Sequence, residues 1–174
     1  RDWPSHTPWF REIPREFVRY LSEAEIKQPL PAWLAELAHY EWVELAVDIM
    51  DCPIPDHDTQ GHLLIGRPVL NPTLMNLSYQ WPVHKIGPGY RPRKRQPTQL
   101  LVYRDSDDEV QFVASNPVTA RLLALLASTT LTGRAACLRI AEELKHPSPE
   151  TLVNHGLSML EQLRHQGIIL GIRQ

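Results

Sequence analysis

Residues 30–50 read Leu30-Pro-Ala-Trp-Leu-Ala-Glu-Leu-Ala-His-Tyr-Glu-Trp-Val-Glu-Leu-Ala-Val-Asp-Ile-Met50, and the fold turns on this stretch. Leu34, Ala38, Trp42, Leu45 and Ile49 recur at the spacing of one helix face, which predicts a helix over 31–50. Pro31 suits its first turn, and Pro53 and Pro55 end it. Ala35, His39, Val43, Ala46 and Met50 widen the apolar arc to about half the circumference. On the other half, Trp33, Leu37 and Tyr40 lie among Glu36, Glu41, Glu44 and Asp48, which is not an ordinary solvated face. A helix that is apolar on most sides is packed on more than one. The expectation is a central helix whose acidic-aromatic side is either capped by an arginine or covered by a partner. Trp33, Tyr40, Glu41 and Glu44 form the candidate partner interface, because aromatic anchors typify such surfaces.

The rest of the chain is read outward from that helix. Residues 1–13, rich in proline and aromatics, read as an irregular arm on the body. Pro14 opens a helix that runs to about Lys27, with Ile13, Phe17, Val18 and Leu21 on one face and Pro29 as its breaker. On the far side, residues 61–97 carry short apolar bursts punctuated by prolines and read as extended chain. Leu74, Leu77, Tyr79 and Trp81 are expected against the central helix. Gln99–Arg104 and Glu109–Ala114 form a hairpin around Asp105-Ser-Asp-Asp108. Helices are predicted at Val118–Ala127, Ala135–Lys145 and Thr151–Gln166, the last with Ser148 as cap and Pro149 at its first position. Gly167 closes it, and Ile168–Ile172 reads as a returning strand. The fold class is α+β: a helical pair (1–60) on a small antiparallel sheet (61–97 and the hairpin), then a winged-helix-like portion completing 98–174.

Charge is distributed unevenly. Residues 1–60 hold 5 Lys/Arg against 12 Asp/Glu, whereas residues 61–104 hold 7 Lys/Arg and no carboxylate. Four of those cations lie in Tyr90-Arg-Pro-Arg-Lys-Arg95. Sign asymmetry of this kind accompanies either a charged partner or internal neutralisation. No apolar run is long enough to span a bilayer. Two cysteines, Cys52 and Cys137, build no disulfide framework and read as reduced thiols of a cytoplasmic protein.

Motifs for chemistry are missing. There is no Gly-rich phosphate loop, no paired-histidine metal motif and no Gly-x-Ser-x-Gly elbow. Asp51, Cys52, Asp56, His57, Asp58 and His62 supply ligand types, but at no recognised spacing and in a loop of prolines. The reading is no enzyme and no cofactor. DNA binding is the runner-up. A helix over Thr151–Gln166 would offer Asn154, His155, Gln162 and Arg164, with one firm positive charge set against Glu150 and Glu161. Phosphate neutralisation drives DNA affinity, and this helix neutralises little.

His39-Tyr-Glu-Trp-Val-Glu-Leu-Ala46, Phe10-Arg-Glu-Ile-Pro-Arg-Glu-Phe17, Tyr79-Gln-Trp-Pro-Val-His-Lys-Ile86 and Leu100-Leu-Val-Tyr-Arg104 carry a family likeness. With the helical C-terminus, they resemble a bacterial family long labelled DNA-binding and now described as HvfC/BufC-type peptide-modification chaperones, relatives of the methanobactin partner protein MbnC. The resemblance implies a partner of a multinuclear iron-dependent oxidase that modifies cysteines in a ribosomally made precursor peptide. It further implies contact with the precursor's leader, any iron belonging to the oxidase. Family members usually carry a helical domain ahead of the Phe10 motif, and that domain is expected to be missing here. The candidate peptide contacts are Tyr90, Arg91, Arg93, Lys94, Arg95 and Tyr103, beside the edge of the hairpin.

Overall fold

The computed structural model describes residues 12–23, 29–128 and 130–173. Most of the arm at 1–13 and the Lys27 end of the first helix lie outside them. The chain is α+β, with five α-helices and two antiparallel sheets among the described residues.

Three layers are stacked around one strand. β2 (Met75–Tyr79), β3 (Thr98–Arg104) and β4 (Val110–Ser115) form a sheet in the order β2-β3-β4. On one face lies α2 (Leu34–Asp48), with α1 (Ile13–Glu23) against its outer side. On the other lie α3 (Pro117–Ser128), α4 (Gly133–Glu143) and α5 (Pro149–His165). Leu100 and Val102 therefore enter the core beneath α2, and Leu101 and Tyr103 enter the core of the helical trio. With both faces covered, Leu100–Tyr103 are all buried, so the strand reads as a continuous apolar run rather than an alternating one.

α2 begins three residues later than Pro31, which lies in a turn closed by Leu34 N–H donating to Pro31 O at 3.0 Å. The face it sets on the sheet is Leu37, Tyr40, Val43 and Val47, with Trp42 of the Leu34–Ile49 stripe packed beside it. Apolar count along a stripe is a weaker guide than which stripe meets the sheet. An arginine does cap the helix, at its end: Arg104 donates to Asp48 O (2.7 Å) and Met50 O (2.8 Å). Leu77, Tyr79 and Trp81 pack beneath α2 as expected, whereas Leu74 faces the helical trio.

The hairpin turns where its aspartates allow. Asp105 Oδ1 accepts the N–H groups of Asp107 (2.9 Å) and Glu109 (3.0 Å), and Asp108 takes φ +62°, a conformation aspartate tolerates. α3 starts where Asn116 Oδ1 accepts Thr119 N–H, and α4 where Thr132 caps Ala135 N–H. Ser148 makes no side-chain cap on α5, although Pro149 occupies the first turn. Gly167, at φ +74°, turns the chain out of α5 into β5 (Ile169–Arg173).

β5 does not return to the hairpin. It pairs with β1 (Arg67–Leu70) as a separate two-stranded sheet. Asn71 joins the two sheets: its Nδ2 donates to Arg104 O (2.9 Å) and Gly167 O (3.1 Å), while its Oδ1 accepts Thr73 N–H and Oγ1–H.

Candidate functional site

β4 pairs only with β3, so its outer edge is open among the described residues. Hydrogen-bonded pairs alternate along an antiparallel ladder. Asp105 N–H donates to Glu109 O at 2.9 Å, which fixes the phase. The N–H groups of Gln111, Val113 and Ser115 face β3, and those of Val110, Phe112 and Ala114 face outward. The outward-facing Arg104 N–H on the opposite side of β3, bonded to Thr73 Oγ1, agrees with this phase.

Beside that edge, Val113 and Ser115 form one wall of a groove of about 610 Å³. The other wall is α5, through His155, Ser158, Met159, Gln162 and Gln166. Their spacing of three and four residues sets them on one helix face, and His155, Ser158 and Gln162 are exposed. From the sequence, His155 and Gln162 read only as candidate DNA contacts. The polar His155-Ser158-Gln162 face is the available signal, but its partner strand lies about 40 residues earlier in the chain.

The basic segment stands at one end of the same sheet. Tyr79 pairs with Thr98 and Gln99 with Ser115, so the loop between β2 and β3 emerges beside the Ser115 end of β4. Gly87 and Tyr90 exchange backbone hydrogen bonds at 3.1 Å, and Gln96 N–H donates to Gln80 O at 2.9 Å. Pro92 is buried, while Tyr90, Arg91, Arg93, Lys94 and Arg95 are exposed. None of these four cations forms an ion pair among the described residues. Among the described residues, the acidic first third does not neutralise them by contact.

Tyr103 is a correction. It is 3% exposed and donates its hydroxyl to Gln166 O at 2.6 Å, so it is a core residue tying β3 to the end of α5 and not a surface contact. Burial, then the charge of Asp105, pushes its phenol pKa up. The central strand has no solvent face on which a tyrosine could wait for a ligand.

The proposed α2 interface divides in two. Tyr40 packs inward, its ring 5.0 Å from that of Phe112, with burial first and Glu41 and Glu44 next raising its pKa. Trp33 is half-buried at the helix start, and Glu41 and Glu44 are exposed. The neighbouring Glu36 is spent internally, accepting Gln80 N–H (3.0 Å) and Trp81 N–H (2.9 Å). His39 Nδ1 lies 2.8 Å from the Tyr79 hydroxyl. Burial, Glu36 and Tyr40 all raise the Tyr79 pKa, so this phenol stays protonated, and the His39 tautomer sets which of the two partners donates. Burial also lowers the His39 pKa against the opposing pull of Glu36. The arrangement is a packed aromatic network.

Arg164, the one firm cation of α5, donates to Gly61 O at 3.1 Å and pairs with Glu161. In the 51–62 loop His57 Nδ1 lies 2.7 Å from Pro55 O, and Asp58 Oδ1 accepts Gln60 N–H. Among the described residues, no three His, Cys, Asp or Glu side chains converge as metal ligands. Nor is any helix among them long and apolar enough to cross a membrane.

A family model, the HvfC C-terminal domain, matches residues 71–164, from the Asn71 joint to the end of α5. The chain belongs to the HvfC family. The match takes in the three-stranded sheet, the basic loop and the groove walls except Gln166. No curated protein matches the sequence. HvfC membership suggests an accessory protein of the HvfABCD/MbnABC type and fits a peptide-modification chaperone.

Proposed function

We propose that this HvfC-family chain is a non-catalytic, cytoplasmic partner that binds the leader of a ribosomally made precursor peptide and presents it to a multinuclear iron-dependent oxidase. The observation that carries the reading is the open β4 edge facing the α5 groove, with the basic loop at one end of the sheet. An extended peptide added to β4 would bond to the outward N–H groups of Phe112 and Ala114. Its alternate side chains would enter the groove against His155, Ser158 and Gln162. Arg91, Arg93, Lys94 and Arg95 would guide an acidic segment toward the strand. Such rim charges act on association rate and its salt dependence, whereas strand pairing sets residence time. The chain itself holds no cofactor; iron and the oxidative chemistry belong to the partner. The alternative of a DNA-binding regulator gains nothing from α5, whose Arg164 is engaged by Gly61 and Glu161.

The test uses immobilised precursor peptide at several salt concentrations. Replacing Arg91, Arg93, Lys94 and Arg95 by Ser is expected to slow association and flatten its salt dependence with folding intact. Ala114→Pro removes an outward donor without touching the ladder to β3, and is expected to shorten residence about tenfold, the loss of one to two net hydrogen bonds. Unchanged kinetics in both variants would remove the peptide from this edge.

A further inference from the structure

The second sheet borders a cleft that the peptide reading does not use. It lies between β1 and α3, has a volume of about 620 Å³, and is lined by Leu70, Leu74, Leu123, Ala127 and Leu131, with Arg67 and Arg173 also on its wall. The leucine side chains give it an apolar floor. Arg67 and Arg173 are direct cross-strand partners in the β1–β5 pair, and both are exposed. Like charges placed opposite each other destabilise a sheet, and an acidic residue at either position would relieve this. Arg173 donates Nε–H to the Asp56 carbonyl at 2.9 Å, but neither arginine forms an ion pair among the described residues.

The outer edge of β1 is not built to accept a strand. Ile172 exchanges both its backbone bonds with Asp58, N–H to Asp58 O at 3.0 Å and its own carbonyl to Asp58 N–H at 2.9 Å. In the Pro68↔Ile172 pair, Pro68 therefore turns its nitrogen outward, where an incoming strand would need a donor. Whatever fills this cleft does so through side chains.

We infer that the β1–α3 cleft docks an amphipathic helix of a protein partner, with leucine-sized side chains on the leucine floor and carboxylates on Arg67 and Arg173. The assignment follows from three features of the cleft: an apolar trough, a proline-blocked edge, and two exposed arginines paired across the strands with no ion partner among the described residues. Helix-in-groove docking uses apolar anchors at three- and four-residue spacing, and paired arginines favour carboxylates through charge-assisted bonds. This surface is separate from the β4 edge and does not depend on the peptide reading.

The probe is a synthetic amphipathic peptide of leucine and glutamate, paired with its leucine–lysine counterpart, titrated against the labelled chain by NMR. Expected is binding of the acidic peptide that shifts Ala127 and Leu131 and exceeds that of the lysine peptide by at least about tenfold. Arg67→Glu places opposite charges across β1 and β5, so Tm is expected to hold or rise while acidic-peptide affinity falls by about tenfold or more. Ala114→Pro is expected to leave this binding unchanged. Equal binding of the two peptides would overturn the proposal, as would indifference to Arg67→Glu or loss of binding in Ala114→Pro. A self-association of the chain that Arg67→Glu dissolves would assign the cleft to a second copy instead and equally overturn it.

Discussion

β4 and β1 each lie at the open edge of a sheet, yet they present opposite chemistry. β4 turns the N–H groups of Phe112 and Ala114 outward beside a polar helix face, whereas β1 turns the nitrogen of Pro68 outward beside a leucine-lined cleft. One edge can be extended by a peptide and the other is protected from it. Natural sheets blunt edges they do not use, so an edge left with its donors is the informative one. The same contrast separates the two groups of cations. Arg91, Arg93, Lys94 and Arg95 sit on an exposed loop, and Arg67 and Arg173 sit on the wall of a cleft.

The strongest way to break the comparison is to break the joint between the sheets. Asn71→Ala removes donors to Arg104 O and Gly167 O and the acceptor for Thr73, and is expected to cost about 2–3 kcal/mol in urea unfolding. A cost below about 0.5 kcal/mol would mean that the two sheets are held together by apolar packing alone. Next in size, Tyr103→Phe is expected to destabilise by about 1 kcal/mol and to loosen the end of α5 behind the groove, without removing any surface contact. An effect on peptide binding larger than its effect on stability would restore Tyr103 as a ligand contact. Arg104→Met removes the cap on Asp48 O and Met50 O and is expected to cost about 1 kcal/mol. Its exchange signature would be fraying confined to the last turn of α2, leaving both edges as they were.

The smallest effect is with pH. Burial lowers the pKa of both His39 and His84, chiefly by desolvation in each case, from an ordinary value of 6.5. The unfolded chain then binds more protons than the folded one near that value. The stability these neutral rings contribute is fully present above about pH 6.5 and is lost as pH falls through their lowered folded values. His84 sharpens this, because its buried Nδ1 has no partner among the described residues. Thermal melts are expected to shift downward on mild acidification in the native chain and less so in His39→Gln. An equal shift in that variant would assign the effect elsewhere.

Much of this architecture was legible in the sequence, for reasons of local chemistry. Asp105–Asp108 announces its turn, Asn116 and Thr132 announce their helices, and Gly167 announces the exit from α5. What the sequence could not give were relations set by distant contacts. Tyr103 reads as a β-strand aromatic of either face, and only the helical trio behind the sheet makes it core. Tyr40 lies on the less apolar side of α2, yet that side meets the sheet because Leu37 and Val47 share it and Val43 borders it. The partner of β5 was equally hidden: Ile168–Ile172 reads as a strand, but pairing it with Arg67–Leu70 depends on where Asn71 ties the chain. The groove combines α5 with β4, two elements whose individual patterns say nothing of their separation. Its polar stripe, His155-Ser158-Gln162, was visible, but as a helix face in search of a neighbour.

The account rests most directly on the β4 edge, and amide hydrogen exchange of residues 110–115 with and without bound precursor leader tests it. Val110, Phe112 and Ala114 are expected to exchange fast in the free chain and to slow strongly on binding, while Gln111, Val113 and Ser115, already paired to β3, change less. Saturating leader that leaves Phe112 and Ala114 as fast as before would contradict it.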